Sequence, residues 1–277
     1  MYKLSIITIN KNNRKGLEKT CLSVVSQTYK SFEWIIIDGA SEDGSVNIIQ
    51  EHIAKVNYWV SEPDSGVYNA MNKGIKRANG EYLLFLNSGD FLLHPWTLQE
   101  FIAEIAVCEY ADVYFCDGLG SDYSLIKSPS KITFDFLLNK TINHQNSYTS
   151  RKLFDNELYD ENYHIVSDWL FFIVNLIKRN IVFYRLEVKT SVYSLGGISS
   201  TQQEKFLAER KHALTALYQA GYISNAQWKK AVSKIEYELA SLKKSGIKFI
   251  LLLLYKIAKH LLPLGVYKLL KRLKKQT

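Results

Sequence analysis

The first ninety residues alternate short apolar runs with segments of helical periodicity. Leu4–Ile9 is apolar and β-branched, Gly16–Gln27 repeats apolar residues at helical spacing, and Phe32–Ile37 is apolar again. Two more apolar runs, Asn57–Val60 and Tyr82–Leu86, flank another helical segment. Strand, helix and strand in succession form right-handed parallel units. The pattern therefore predicts an α/β fold with a mostly parallel sheet flanked by helices.

Polar residues follow each of these four predicted strands. They are Asn10, Asp38, Asp64 and the segment Asn87–Asp90. Ligands of open α/β sheets bind outside the carboxyl ends of the strands, so we expect these groups to line one pocket. Oxygen ligands of this kind suit a divalent cation together with substrate phosphates. A simple tight turn is the alternative for Asn87–Asp90, because all four residue types favour turns.

The second half of the chain has a less regular pattern. Asp112–Cys116 should extend the same sheet, and Ile181–Tyr184 is a further strand-like run. After two glycines at 196 and 197, residues 201–244 predict two helices divided at 220–222. Ser224 is the expected N-cap of the second helix.

The C-terminal end carries the excess positive charge. The chain has 35 Lys or Arg and 27 Asp or Glu, and ten of these basic residues lie in residues 241–277, which contain no acid. A nucleic-acid enzyme would spread that charge over its folded surface, so we expect no nucleic-acid partner. Residues 247–262 and the segment after Pro263 are amphipathic and too short to span a bilayer. They predict a peripheral membrane contact, with a docking helix or oligomer contact as the alternative.

Composition adds three expectations. The chain has 277 residues and is 47% hydrophobic, which is enough for one large domain, or a core domain with an appendage, and for a sizeable core. Its three cysteines form no CxxC pair, so we expect reduced thiols rather than disulfides or a zinc site. The N-terminal apolar run is too short for a signal peptide, so we expect a protein that faces the cytoplasm.

Residues 3–120 resemble the nucleotide-sugar domain of the family 2 glycosyltransferases, which have the Rossmann-like GT-A fold. The resemblance rests on SIITINKNNRKG, on EPDSGVYNAMNKG and on YLLFLNSGD, in that order. It looks most like enzymes that build bacterial capsule, exopolysaccharide or O-antigen chains. It implies a nucleotide-sugar half at 1–118, an acceptor and catalytic-base half at 119–200, and C-terminal helices with the basic tail at 201–277.

The resemblance also implies donor-binding residues. The implied nucleotide contacts are Thr8, Asn10, Asp38, Asp64, Asn69, Lys73, Asn87 and Ser88. In this assignment Asp38 accepts a hydrogen bond from the base, and Lys73 opposes the diphosphate charge. The alternatives are a turn-capping role for the aspartate and a solvated position for the lysine.

The resemblance further implies a metal ligand and a base. NSGD stands at the family's DxD position, with Gly89 where a second acid is expected, so Asp90 is the one full charge for Mn²⁺ or Mg²⁺. Either Asp90, Asn87 and the diphosphate hold the cation, or its affinity is weak. Asp168 matches the base that deprotonates the acceptor, although an aspartate in a first helical turn also satisfies the helix dipole.

Three further residues are implied contacts with the donor or acceptor. His144 and Gln145 belong to a polar segment near the substrate, and Gly197 belongs to a loop over the donor phosphates. The alternatives are a structural histidine and a plain connection between strand and helix.

The resulting hypothesis is an inverting glycosyltransferase in bacterial surface-polysaccharide biosynthesis. It takes a sugar from a nucleotide-diphosphate sugar, with UDP as the expected nucleotide, and extends a lipid-linked glycan at the cytoplasmic face of the inner membrane. One alternative is a nucleotidyltransferase, although NKNNRKG matches its Gly-rich phosphate loop poorly. The other is a non-catalytic nucleotide-sugar-binding protein.

Overall fold

The computed structural model describes residues 2–261, with side chains described up to residue 244. The strands are β1 (Leu4–Asn10), β2 (Glu33–Asp38), β3 (Tyr58–Ser61), β4 (Tyr82–Phe85), β5 (Phe91–Leu92), β6 (Val113–Gly120), β7 (Leu125–Ile126), β8 (Ser147–Ser150) and β9 (Phe183–Tyr193). The helices are α1 (Arg14–Val25), α2 (Ser45–Glu51), α3 (Val67–Arg77), α4 (Thr97–Ile105), α5 (Phe134–Asn139), α6 (Ser167–Arg179), α7 (Ile198–Thr201), α8 (Gln203–Gln219) and α9 (Asn225–Leu261).

The described strands form a single mixed sheet flanked by helices, in the order β3-β2-β1-β4-β8-β6-β9-β5. The first four strands are parallel, as the sequence pattern predicts. The predicted strand at 112–116 does extend this sheet, but β8 lies between it and β4 and runs antiparallel to both. The parallel order therefore stops at β4, directly before the Asn87–Asp90 segment.

The central strands are buried on both faces, which explains their continuous apolar runs. All seven residues of β1 and all six of β2 are buried. Helix α3 covers one face at close range, because a Cβ atom on Gly74 would lie 2.4 Å from the Ile7 side chain. Glycine at position 74 therefore allows α3 to pack directly on β1.

The register of the parallel strands aligns their polar ends. Asn10 pairs with Asp38, and Asp38 pairs with Ser61. Beyond β4 the chain continues beside β1, since the amide of Ser88 donates to the carbonyl of Ile9 over 3.0 Å. The residues that follow β1, β2 and β4 consequently meet at one edge of the sheet.

The chain divides into two compact units, Met1–Gln202 and a second unit that begins at Gln203. In the second unit, α8 and α9 are separated at 220–224, which confirms the two predicted helices. Ser224 caps α9 as predicted: its hydroxyl accepts from the Gln227 amide, and its own amide donates to the Gln227 side chain.

The predicted membrane-contact tail lies mostly outside the described residues. Helix α9 extends to Leu261, but the side chains of the first amphipathic segment and everything after Pro263 are not described. Among the residues that are described, no helix combines the length and apolar character needed to cross a bilayer.

Candidate active site

The first part of the site is a fully buried carboxylate at the end of β2. Both oxygens of Asp38 accept hydrogen bonds: Oδ1 from the Asn10 amide (2.7 Å) and the Ser41 hydroxyl (2.6 Å), Oδ2 from the Ser41 backbone (2.9 Å) and the Ser61 hydroxyl (2.6 Å). Burial alone would raise the pKa of Asp38, but these hydrogen bonds hold it below its usual value.

This arrangement gives Asp38 a structural role beside the implied one. A carboxylate offers about four lone-pair positions, and the protein itself fills four of them. Asp38 therefore holds the loops after β1, β2 and β3 together, and its implied contact with the nucleotide base stays a prediction.

Thr8, which the resemblance also implies as a nucleotide contact, lies at the buried end of β1. Its side chain is fully buried, and its hydroxyl accepts from the indole nitrogen of Trp34 at 3.1 Å. Asn10 and Asp64 do lie at the sheet edge. A Cβ atom on Gly39 would meet Asp64 Oδ2 at 2.2 Å, so Asp64 packs directly against the turn that follows Asp38.

Asn69 and Lys73, both on α3, already have protein partners. Asn69 donates to Glu161 at 2.8 Å. Lys73 forms an ion pair with Glu62 at 2.8 Å and donates to the carbonyl of Pro63, also at 2.8 Å. Lys73 therefore has partners within the described structure, and its expected role opposite the diphosphate stays a prediction. Its negative partner, Glu62, lies five residues before the start of α3 in the sequence.

The Asn87–Asp90 segment is a tight turn, held from α1. Gly89 has φ of +102°, a conformation that favours glycine. Thr20 accepts from the Gly89 amide at 3.0 Å and donates to the Asp90 carbonyl at 2.7 Å. Asn13 donates to both the carbonyl (2.9 Å) and the hydroxyl (3.2 Å) of Ser88. The glycine that replaces the expected second acid is thus required by the backbone of the turn.

Asp90 is buried but has few partners. Its side chain is 5% exposed, and one carboxylate oxygen accepts from the Ser194 amide at 3.2 Å. Burial raises the pKa of Asp90 to about 6, although the charge of His144 and hydrogen bonds from Ser194, Gln145 and Asn87 act in the opposite direction. Gln145, identified from the resemblance, therefore does reach this site. Burial leaves the Asp90 charge incompletely compensated.

Asp90 and Asn87 fit a divalent cation that also binds substrate phosphates. Asn87 Oδ1 is buried and has no hydrogen-bond partner in the described part of the chain. The same described residues contain no cluster of three or more His, Cys, Asp or Glu side chains that could hold a metal unaided. One carboxylate and one amide oxygen match the sparse protein ligation that Mg²⁺ commonly has at phosphate sites.

A chain of hydrogen bonds joins this turn to Asp168. Asn87 Nδ2 lies 3.0 Å from His144 Nε2, and His144 Nδ1 lies 3.1 Å from Asp168 Oδ2. On its other side, Asp168 accepts from the Tyr68 hydroxyl at 2.7 Å. Residues from α3, the Asn87–Asp90 turn, the 3₁₀ turn His144–Asn146 and α6 thus meet at one point.

His144 and Asp168 shift the pKa of one another in opposite directions. Burial would lower the pKa of His144, but its hydrogen bond to Asp168 and the charges of Asp168 and Asp90 raise it above its usual value. Burial would raise the pKa of Asp168, but His144, Tyr68 and the Trp169 amide hold it below its usual value. Asp168 is consequently a carboxylate at neutral pH, the state that a proton acceptor needs.

Gly197 does not reach these residues. It is exposed, and its carbonyl accepts from Ser200 and Thr201 at the start of α7. In the same loop it is Ser194, three residues earlier, that contacts Asp90. No sequence pattern marks Ser194, because it acts through its backbone amide. Tyr68 was also missed, although it stands within the DSGVYNAMNKG motif.

The fold and the site together define a class of protein. Carboxylate and amide oxygens at the ends of parallel strands suit a nucleotide diphosphate with a cation, and a separate buried carboxylate suits the deprotonation of a second substrate. This is the arrangement of a GT-A enzyme that uses a nucleotide sugar.

The chain belongs to glycosyltransferase family 2. The family model, described as Glycosyl transferase family 2, matches residues 5–174, which is more than half of the chain. The chain therefore carries a glycosyltransferase family 2 domain, and this family favours a glycosyltransferase over a nucleotidyltransferase.

Relatives with curated names agree with this family. A PGL/p-HBAD biosynthesis glycosyltransferase of Mycobacterium bovis is 29% identical over 216 residues, which cover 76% of this chain and 83% of that protein. An uncharacterized glycosyltransferase of Mycobacterium tuberculosis is 44% identical over 93 residues, 33% of this chain. That match spans only 36% of the length of the relative.

Solved structures share the GT-A fold. S. aureus TarS 1-349 in complex with UDP-GlcNAc aligns with a TM-score of 0.66 at 18% identity, covering 84% of this chain and 71% of that chain. Mannosyltransferase PcManGT from Pyrobaculum calidifontis, in complex with GDP-Man and Mn²⁺, aligns with a TM-score of 0.61 at 14% identity, covering 99% and 83%.

Proposed function

We propose that this glycosyltransferase is an inverting enzyme that transfers a sugar from a UDP-sugar to a lipid-linked oligosaccharide or polysaccharide in bacterial surface-polysaccharide biosynthesis. The observation that carries the proposal is the hydrogen-bonded chain Asn87–His144–Asp168. It brings a buried carboxylate close to the turn that suits a cation and a diphosphate, so a base and a leaving group can act on opposite sides of one sugar.

Each part of the site has an assigned task. Asn10 and Asp64 contact the nucleoside at the sheet edge, and Ser88 lies beside the diphosphate. Asn87 and Asp90 hold a divalent cation, Mn²⁺ or Mg²⁺. When bound, the cation neutralises the charge that develops on the departing diphosphate.

Asp168 acts on the acceptor. It takes the proton of the acceptor hydroxyl as that oxygen bonds to the anomeric carbon and the bond from this carbon to the diphosphate oxygen breaks. UDP leaves with the electrons of that bond. A single displacement of this kind inverts the configuration at the anomeric carbon.

The acceptor and the location are supported by two further features. The basic amphipathic tail suits the cytoplasmic face of an inner membrane, where a lipid-linked acceptor is available. A relative that covers most of this chain is named for PGL/p-HBAD biosynthesis. We propose peripheral association through the tail and no nucleic-acid partner.

The test measures UDP release from UDP-sugars with Mn²⁺, in the presence and absence of a panel of octyl glycosides as acceptors. Asp168→Asn should lower transfer by about 100-fold or more while UDP still stabilises the protein against heat. Asp90→Ala should abolish the Mn²⁺-dependent part of the rate. Asp155→Asn, at an exposed aspartate, is the matched control.

Full transfer activity in both Asp168→Asn and Asp90→Ala, with folding intact, would reject the assigned roles. Retention of configuration in the product would reject the inverting mechanism.

A further inference from the structure

The two oxygens of Asp168 are not equivalent. Oδ1 accepts two hydrogen bonds, from the Tyr68 hydroxyl at 2.7 Å and from the Trp169 amide at 2.9 Å. Oδ2 accepts from His144 Nδ1 at 3.1 Å. Since each carboxylate oxygen has about two lone-pair positions, the donors of the described residues fill Oδ1 and leave a position open on Oδ2.

Tyr68 is itself held firmly in place. Its side chain is buried on α3, and its ring packs against the Tyr159 ring with 5.4 Å between centroids. Tyr159 in turn contacts Phe85, Phe154 and Phe171. Burial, together with the charge of Asp168, raises the pKa of Tyr68 well above its usual value, so the hydroxyl remains a donor.

Resting on the proposed function, we propose that Tyr68 is a positioning residue of the transferase reaction: with His144 it fixes the Asp168 carboxylate so that Oδ2 alone receives the acceptor proton. Tyr68 follows Asp64 by four residues along the chain, and His144 contacts Asn87. The base is thereby oriented by the two segments that carry the donor-side residues. A carboxylate that needs no reorientation when the acceptor arrives lowers the barrier to transfer.

The experiment compares Tyr68→Phe with Tyr159→Phe, using a UDP-sugar, Mn²⁺ and the octyl glycoside acceptors. Tyr68→Phe keeps the ring and removes the hydrogen bond to Asp168. Tyr159→Phe removes a phenol from the same aromatic cluster without removing a hydrogen bond to Asp168. Tyr68→Phe should lower kcat for transfer about tenfold with little change in the donor KM, whereas Tyr159→Phe should stay within about twofold of the wild type.

The pH profile separates positioning from a merely structural role. The ionisable groups that face Asp168 are Tyr68 from α3, His144 from the 3₁₀ turn, and Tyr159, with Asp90 acting on His144. Because the Tyr68 hydroxyl helps to hold the pKa of Asp168 down, its removal should move the acidic limb of kcat to higher pH. Tyr159→Phe should leave that limb in place.

Two outcomes would overturn the inference, and they are distinguishable. If Asp168→Asn loses transfer but Tyr68→Phe keeps the wild-type rate and acidic limb, the positioning role is wrong and the proposed function stands. If Asp168→Asn itself keeps full activity, the assignment of the base fails. His144→Ala removes the other side-chain donor to Asp168, and its acidic limb should move in the same direction.

Discussion

Asp38 and Asp90 are two buried aspartates near the carboxyl ends of parallel strands, Asp38 at the end of β2 and Asp90 in the turn after β4. Their hydrogen bonds differ. Asp38 is 0% exposed and accepts four hydrogen bonds, which hold its pKa low. Asp90 is 5% exposed and has weaker compensation, so burial raises its pKa to about 6. The ionised aspartate is therefore expected to raise the free energy of unfolding at position 38 and to lower it at position 90.

The difference distinguishes a structural carboxylate from one available to a ligand. The donors to Asp38 come from residues beside the ends of β1, β2 and β3, so its charge is satisfied before any ligand binds. The compensation of Asp90 is less complete, and the proposed cation would add to it. Such uncompensated charge is a common cost of a functional site.

The largest expected effect is on the Asp38 side. Asp38→Ala removes the acceptor for Asn10, Ser41 and Ser61 at once, and the Asn10 side chain that loses it is buried. The free energy of unfolding should fall by about 3 kcal/mol. Urea unfolding at pH 7 measures it, with Asp155→Ala as an exposed control expected to change by less than about 0.5 kcal/mol. A loss below about 1 kcal/mol would remove the contrast between the two aspartates.

The opposite effect is expected at Asp90. Asp90→Asn keeps the shape and removes the buried charge, so in EDTA at pH 7 the free energy of unfolding should rise by about 1 to 3 kcal/mol. Transfer should be lost in the same variant. Thermal and urea unfolding, each with and without Mn²⁺, measure the change in stability, and UDP release measures the loss of transfer.

The pH dependence gives the sign of the Asp90 effect. An acid whose folded pKa is raised contributes stability that is present below its unfolded pKa, 3.8, and is lost as pH rises through about 6. The advantage of Asp90→Asn should therefore appear between about pH 4 and pH 6 and stay constant above. A variant less stable than the wild type in EDTA at pH 7 would contradict this account.

The smallest expected effect probes one donor. Ser61→Ala removes a single hydrogen bond to Asp38, at 2.6 Å, and leaves three others. The free energy of unfolding should fall by about 1 kcal/mol. The matched change Ser65→Ala, near Glu161 rather than Asp38, should cost less, because its hydroxyl lies 3.5 Å from that carboxylate. Equal losses in the two variants would mean that the Asp38 network has no special weight.

The parallel half of the fold could be predicted because its strands are buried on both faces and therefore apolar throughout. Strand β8 could not, since Ser147–Ser150 carries three hydroxyl residues around Tyr148. It forms a strand because it pairs with β4 on one side and β6 on the other. Its Tyr148 ring also stacks on Phe101, with 3.6 Å between ring centroids. Tertiary packing decides the structure there, and local pattern does not report it.

The sequence pattern marks the site residues that follow strands, and the family resemblance adds His144 and Asp168. Asn87, Asp90, His144 and Asp168 do meet, although only Asn87 and Asp90 are near in sequence. The pairing of Lys73 with Glu62, and the backbone contact of Ser194 with Asp90, depend on how loops fold back. Neither leaves a periodic signal.

The strand order has a consequence for the time course of synthesis. Strands β1 to β4 are complete once residue 85 has left the ribosome, but β8, which covers the edge of β4, begins only at residue 147. At a synthesis rate of about 5–20 residues per second, the edge of β4 stays unpaired for several seconds before β8 is available. An uncovered edge strand can pair with another chain. We therefore expect that β4 can pair with a second nascent chain until β8 has been synthesised, and that β8 then prevents this pairing.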